Sequence, residues 1–213
     1  EPMAILSMDT TGKDLIKIKS SNSNTIDPEY VSVPEAITYE TDDGFDIHAF
    51  LYRPTNPRYS GLPDEKPPLL VKSHGGPTGA TSIALDLSIQ FWTSRGFSVL
   101  DVNYGGSTGY GREYRELLRG NWGIRDVNDC AGGALHLVSA GIVDGNRLAI
   151  QGGSAGGYTT LACLTFTDVF QIGASYYGVS DLQTLATDTH KFESRYLDGL
   201  IGRYPESKDL YSK

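Results

Sequence analysis

The sequence has little sulfur and little positive charge. Only two cysteines occur in 213 residues, Cys130 and Cys163, and both fall in stretches patterned as buried helix faces, so they read as core thiols rather than a disulfide framework. Lys and Arg number 18 against 26 Asp and Glu, a formal charge of -8. Without a basic cluster to neutralise phosphates, no nucleic-acid partner is expected. No stretch approaches the ~18 consecutive apolar residues of a membrane span, and Glu1 to Ser20 lacks the basic start and long apolar core of a signal peptide. No membrane partner is expected, and a cytoplasmic protein is the default. The chain starts at Glu1 and not at methionine, which leaves an upstream targeting segment open. The glycine loop Tyr104–Gly111 fits neither the dinucleotide fingerprint nor the phosphate loop, because its spacing is wrong and no Gly-Lys-Ser/Thr follows. No nucleotide, other cofactor or metal is expected.

What the chain does have is glycine, 25 residues of it, and an apolar share of 39%, enough for a real core. Ala4–Met8 and Leu15–Ile18 flank a turn at Thr10–Lys13 and read as a hairpin, followed by a polar Ser/Asn linker. A lone hairpin is marginal in water, so residues 1–30 are expected to belong to a larger β structure outside this chain. A second unit, residues 31–213, opens with strands Ala36–Glu40 and Phe45–Arg53 around the hairpin signal Asp42-Asp43-Gly44. Buried strands are expected at Leu69–Lys72, Phe97–Val102 and Leu148–Gln151, and a further strand at Gln171–Tyr177. Helices are expected over Ser82–Arg95, Ile124–Ser139 and Tyr158–Phe166. Strands alternating with helices predict an α/β class with a parallel, right-handed sheet.

The chemistry concentrates at Gly152-Gly153-Ser154-Ala155-Gly156. Gly-x-Ser-x-Gly between a short apolar strand and a helix is the pattern of a nucleophile elbow. It puts a serine on strained backbone at the tip of a sharp turn, with neighbours small enough for strand and helix to pass closely. Ser154 is therefore the candidate nucleophile. An oxyanion needs donors, and the backbone N–H of Ala155 is the expected first. The turn Ser73-His74-Gly75-Gly76-Pro77 offers the second, from Gly76 or its neighbour Gly75. His74 reads as a brace for that turn, and His48 and His136 as packed or surface residues.

A serine hydroxyl also needs a base and an acid to orient it. In this architecture both follow the serine, and only His190 does so, with Asp168, Asp181 and Asp188 between. Just one strand separates Ser154 from His190, so the expectation is that the acid and base lie beyond Lys213, after about two further strand-helix units of ~30 residues each.

Four motifs in order resemble the prolyl oligopeptidase family of serine peptidases, nearest its acylaminoacyl-peptidase-like branch. They are Ser73–Pro77, Asn103–Gly111, Trp122–Val127 and Gly152–Tyr158. The resemblance covers roughly residues 30–213 and implies an incomplete peptidase domain of α/β-hydrolase fold. It also implies a β-propeller in cis, of which residues 1–30 are the last strands and linker. It makes Ser154 the nucleophile and Gly76 and Ala155 the oxyanion donors, acting on short peptides, N-acylated peptides or dipeptides. Two alternatives share the same residues: a carboxylesterase of this fold, and a non-catalytic α/β-hydrolase-fold binding module.

Overall fold

The computed structural model of the chain describes residues 2–21, 26–189, 191 and 193–212. The first hairpin pairs β1 (Ala4–Met8) antiparallel with β2 (Leu15–Ser20) as a sheet of its own, and most of its apolar side chains, among them Met8, Leu15 and Ile18, face outward.

Among the described residues, the main sheet has six strands: β3 (Glu35–Glu40), β4 (Asp46–Tyr52), β5 (Leu69–Ser73), β6 (Ser98–Asn103), β7 (Leu148–Gly153) and β8 (Ile172–Tyr176). Their spatial order is β3-β4-β6-β5-β7-β8, with β3, β4 and β6 joined antiparallel and the remaining pairs parallel. The Asp42-Asp43-Gly44 turn forms as its composition demands, with Gly44 at φ 81°. Parallel strands covered on both faces read as nearly continuous apolar runs, and in β6 all six residues are buried.

The one charged residue of β6, Asp101, is not left alone. It takes a 2.5 Å hydrogen bond from Thr81 Oγ1 and lies 3.6 Å from Lys72 Nζ, which also reaches Asp86 at 2.9 Å.

Among the described residues, six helices accompany the sheet: α1 (Leu87–Thr93), α2 (Arg112–Glu116), α3 (Arg125–Ser139), α4 (Ala155–Phe166), α5 (Leu182–Thr187) and α6 (Tyr196–Leu200). On one face, Ile89 of α1 joins Tyr52, Leu70 and Val99 in a small core. On the other, α3 and α4 cover Leu69, Val71, Leu100 and Ile150 with Val127, Cys130, Ala134, Leu137 and Ala162. The three-and-four spacing of α3 is what turns those residues inward. Cys130 and Cys163 are both buried free thiols. Among the described residues, no helix is long and apolar enough to cross a membrane.

Two helices differ from the sequence reading. α1 starts at Leu87, not Ser82, because the Asp86 carboxylate accepts the Ser88 N–H as an N-cap while also holding Lys72. Ile83, Leu87 and Phe91, whose spacing of four suggested the buried stripe of this helix, are all exposed, and Ile89 beside them is buried instead. α4 begins at Ala155, three residues early, so the elbow glycines Gly156 and Gly157 are its first turn.

This connectivity fixes where a site can form. From β5 the chain crosses to β6 on one side, then returns past β5 to β7 on the other. The carboxyl ends of β5 and β7 therefore border the crevice at which the strand order reverses, the place where ligands bind in open α/β sheets.

Candidate active site

At the carboxyl end of β7 the chain turns directly into α4, and Ser154 is the residue between them. Its backbone sits at φ 54° and ψ -121°, a conformation that side chains rarely adopt. The turn is held by a 3.0 Å bond from Ser154 N–H to the Tyr176 carbonyl and a 3.1 Å bond from Tyr158 N–H to the Ser154 carbonyl. The side chain is exposed, and among the described residues nothing hydrogen-bonds its hydroxyl. The N–H groups of Ala155, Gly156 and Gly157 precede the first bond of the helical ladder, so the positive end of α4 opens beside the serine.

Close packing explains the flanking glycines. A Cβ at Gly156 would collide with the Ser73 carbonyl, and one at Gly152 would collide with the Gly156 carbonyl and lie 2.8 Å from the Ser73 carbonyl. The end of β5 thus lies against the elbow itself. Gly75 follows immediately: a Cβ there would be 3.6 Å from Ser154 Cβ and 3.2 Å from the Gly153 carbonyl. The structure therefore brings the His74–Gly79 turn and Ser154 together, with Gly75 nearest and Gly76 one residue on, at φ 127°.

The carbonyls of His74, Gly75, Pro77 and Gly79 in this turn are occupied. Tyr104, buried completely, directs its hydroxyl at the His74 carbonyl (3.0 Å) and the Pro77 carbonyl (2.9 Å). His74 Nδ1 is 2.9 Å from the Gly75 carbonyl, and Thr108 N–H donates to the Gly79 carbonyl at 2.9 Å. Because a trans peptide sets its N–H opposite its C=O, holding the Gly75 carbonyl orients the Gly76 N–H. His74 Nε2 lies 2.7 Å from Ser107 Oγ, and the ring stacks on Tyr104 at 4.3 Å. Burial pushes the imidazole below its usual 6.5, partly offset by the Gly75 carbonyl. Ser107 Oγ also donates to the Tyr104 carbonyl at 2.7 Å, so His74 joins the turn at Gly75 to the loop at Ser107, the bracing role read from the sequence.

The Trp122–Val127 motif supports the elbow from behind. Asp126, fully buried in α3, accepts the Gly123 N–H at 2.6 Å and the Thr159 hydroxyl of α4 at 2.5 Å. Burial raises its carboxyl to about 6, against the lowering effect of those two donors. Asp129 is likewise raised to about 6 by burial, opposed by the Gly105 N–H (2.7 Å) and by Arg125 Nε (3.0 Å). Arg125 also pairs with Asp43 in the β3–β4 turn.

The other candidates are engaged elsewhere. His48 Nδ1 lies 3.0 Å from Thr38 Oγ1 across the sheet edge, and His136 stacks on Tyr39. Asp181 caps α5, accepting the N–H groups of Gln183 and Thr184, which lower its carboxyl. Asp168 lies in the bend after α4 and Asp188 at the end of α5. His190 lies outside the described residues. Among the described residues, no three His, Cys, Asp or Glu side chains gather as a metal-binding group.

Three aromatic residues to which the sequence reading gave no role border the site. Tyr104 anchors the turn from within the core. Tyr177, at φ 41°, lies against Gly153, and Tyr196 arrives from α6 onto Gly76 and Thr78.

Comparison with known proteins gives consistent relatives. The sequence model of the prolyl oligopeptidase family matches residues 83–213. Dipeptidyl aminopeptidase BIII of Pseudoxanthomonas mexicana is 34% identical over 154 residues, covering 72% of this chain and 22% of that protein. The acylamino-acid-releasing enzyme of Rattus norvegicus is 35% identical over 149 residues, 64% of this chain and 20% of that one. Among solved structures, a Mycobacterium tuberculosis puromycin-hydrolyzing peptidase superposes with a TM-score of 0.96 at 48% identity, over 100% of this chain and 33% of its own. The acylaminoacyl peptidase of Pyrococcus horikoshii gives 0.75 at 26% identity, over 84% and 28%. The chain spans about a fifth to a third of the length of these relatives.

Proposed function

The chain belongs to the prolyl oligopeptidase family, and from that premise we propose that it is part of a serine peptidase that hydrolyses short peptides, N-acylated or dipeptidyl substrates included, through an acyl-enzyme on Ser154. One observation carries the reading: an exposed serine at positive φ, between β7 and the start of α4, stands against a turn whose His74, Gly75, Gly76 and Pro77 carbonyls are each held by a hydrogen bond. Ser154 Oγ adds to the substrate carbonyl carbon as its proton passes to a base. The negative oxygen is met by the N–H groups of Ala155 and Gly76. The C–N bond then breaks, the amine leaves with the proton, and water releases the acyl group by the same steps. Each oxyanion donor contributes about 2.7 to 4 kcal/mol at the transition state.

His74 has both ring nitrogens engaged, and His48 and His136 serve packing contacts. With His190 outside the described residues, we assign the base and its acid partner to parts of the protein outside residues 1–213 on the length of the relatives, which are three or more times as long. The separate β1–β2 hairpin, with its exposed apolar side chains, supports reading residues 1–30 as the last strands and linker of a β-propeller in cis, and residues 31–213 as the peptidase part. Two buried free thiols favour a reducing, cytoplasmic compartment.

A fluorophosphonate probe tests the reading on the natural full-length protein. Labelling is expected at Ser154 and is absent in Ser154→Ala, which also loses peptide turnover. Peptide turnover by Ser154→Ala at the wild-type rate overturns the proposal. Turnover of simple esters without turnover of peptides favours the carboxylesterase reading instead.

A further inference from the structure

Two phenols hold the turn between β5 and α1, and they differ in where they come from. Tyr104 sits in the core directly beneath the turn, so its anchor is part of the fold. Tyr196 comes from a five-residue helix nearly 120 positions away in sequence, docked by the buried side chains of Leu197, Leu200 and Ile201. Its hydroxyl donates to the Gly76 carbonyl at 2.8 Å, and lies 2.7 Å from Thr78 Oγ1 and 3.4 Å from Thr78 N. A phenol has one proton and two lone pairs. With its proton on Gly76, Tyr196 accepts from the Thr78 hydroxyl and N–H, so its hydrogen-bonding capacity is filled by the turn. It has none left for a substrate.

The turn needs such a clamp. Gly75 and Gly76 carry no side chains to restrict them, and Gly76 stands at φ 127°, where a Cβ would come 2.5 Å from Gly79 N. The peptide plane before Gly76 is held through the Gly75 carbonyl by His74. The plane after it is held through the Gly76 carbonyl by Tyr196. Fixing both planes fixes both backbone torsions of Gly76, and with them the direction of its N–H.

Resting on the reading of Ser154 as nucleophile and Gly76 as donor, we propose that Tyr196 is a positioning residue: its hydroxyl locks the Gly76–Thr78 segment and so couples the docking of α6 to how well the site stabilises an oxyanion. A donor that wanders must be reorganised during the reaction, and preorganisation is the source of its value.

The test uses the natural full-length protein and compares Tyr196→Phe, Thr78→Val, their double variant and Ser154→Ala. Complete removal of an oxyanion donor costs about 10²- to 10³-fold in kcat, so loosening one is expected to cost about 10- to 100-fold in Tyr196→Phe. KM should stay within about threefold, and the unfolding midpoint within about 2 °C. Affinity for a peptide aldehyde, which forms a tetrahedral adduct with the serine, should fall by the same factor as kcat/KM. Affinity for an uncleaved peptide, measured with and without Tyr196→Phe in the Ser154→Ala background, should not change. Because both substitutions act on one junction, the double variant should be no slower than Tyr196→Phe alone. A wild-type kcat in Tyr196→Phe overturns the clamp, as does a loss shared by aldehyde and uncleaved peptide, which would make Tyr196 a substrate contact. If Ser154→Ala keeps wild-type turnover, the nucleophile reading falls and the clamp with it; if only Tyr196→Phe keeps it, the clamp alone falls.

Discussion

The carboxyl of Asp126 and the hydroxyl of Thr159 meet at 2.5 Å across the interface of α3 and α4. That contact ties the helix that starts at Ser154 to the helix behind it, and it does so with an acid whose neutral form is favoured by burial. Between the usual 3.8 and about 6 the unfolded chain ionises Asp126 while the folded chain keeps it protonated. The folded state therefore binds more protons in that window, and this group's contribution to stability falls as pH rises through it. Asp126→Asn removes the effect. The difference in unfolding free energy between wild type and variant should shift toward the variant by about 3 kcal/mol at most from pH 4 to pH 7. Urea unfolding at several pH values checks this, and a difference independent of pH refutes it.

Arg125 to Met should show the opposite dependence on acid. Arg125 is the only cation bonded to the buried Asp129 among the described residues. Removing it leaves a carboxylate with little but the Gly105 N–H, which is expected to cost about 3–5 kcal/mol at pH 8. Near pH 5 Asp129 is largely neutral, and the deficit should shrink. Denaturant midpoints at the two pH values measure it.

Gly156→Ala and Gly199→Ala form a matched pair. Both glycines lie in helices, where alanine is intrinsically better by about 1 kcal/mol. At Gly199 a Cβ meets nothing within 4 Å, whereas at Gly156 it strikes the Ser73 carbonyl. Gly199→Ala should be neutral or slightly stabilising. Gly156→Ala should lose about 1–3 kcal/mol or more and slow fluorophosphonate labelling of Ser154. Thermal unfolding and labelling rates separate the two.

His74 should titrate below 6.5, since burial disfavours its charged form. In the interval from 6.5 down to its folded value the unfolded chain binds the extra proton, so stability is lost as pH falls through that range. A ring-proton titration by NMR placing His74 at or above 6.5 contradicts the dominance of burial over the Gly75 contact.

How much of this was legible in the sequence depended on whether the cause was local. The buried strands β5, β6 and β7 announced themselves as short apolar runs, α3 by the recurrence of Val127, Cys130, Ala134 and Leu137, and the elbow by Gly152 and Gly156, which a strand meeting a helix requires. The start of α1 did not. Its boundary is set by Asp86, which looks like any polar residue until Lys72 on β5 is beside it. α5 and α6 have only six and five residues, too short for periodicity to register. Tyr196 was invisible for a stronger reason: its partners Gly76 and Thr78 lie about 120 positions upstream, and a single hydroxyl meeting a single carbonyl leaves no repeating pattern.

The Ser73 carbonyl, against which both Gly152 and Gly156 are packed, has a practical bearing on any effort to redesign selectivity. A library that randomises the end of β5 and the elbow independently would consist mostly of misfolded chains, because each segment is the other's mould. Diversity belongs instead at Tyr177, with 86% of its surface free, in residue types that tolerate its φ of 41°.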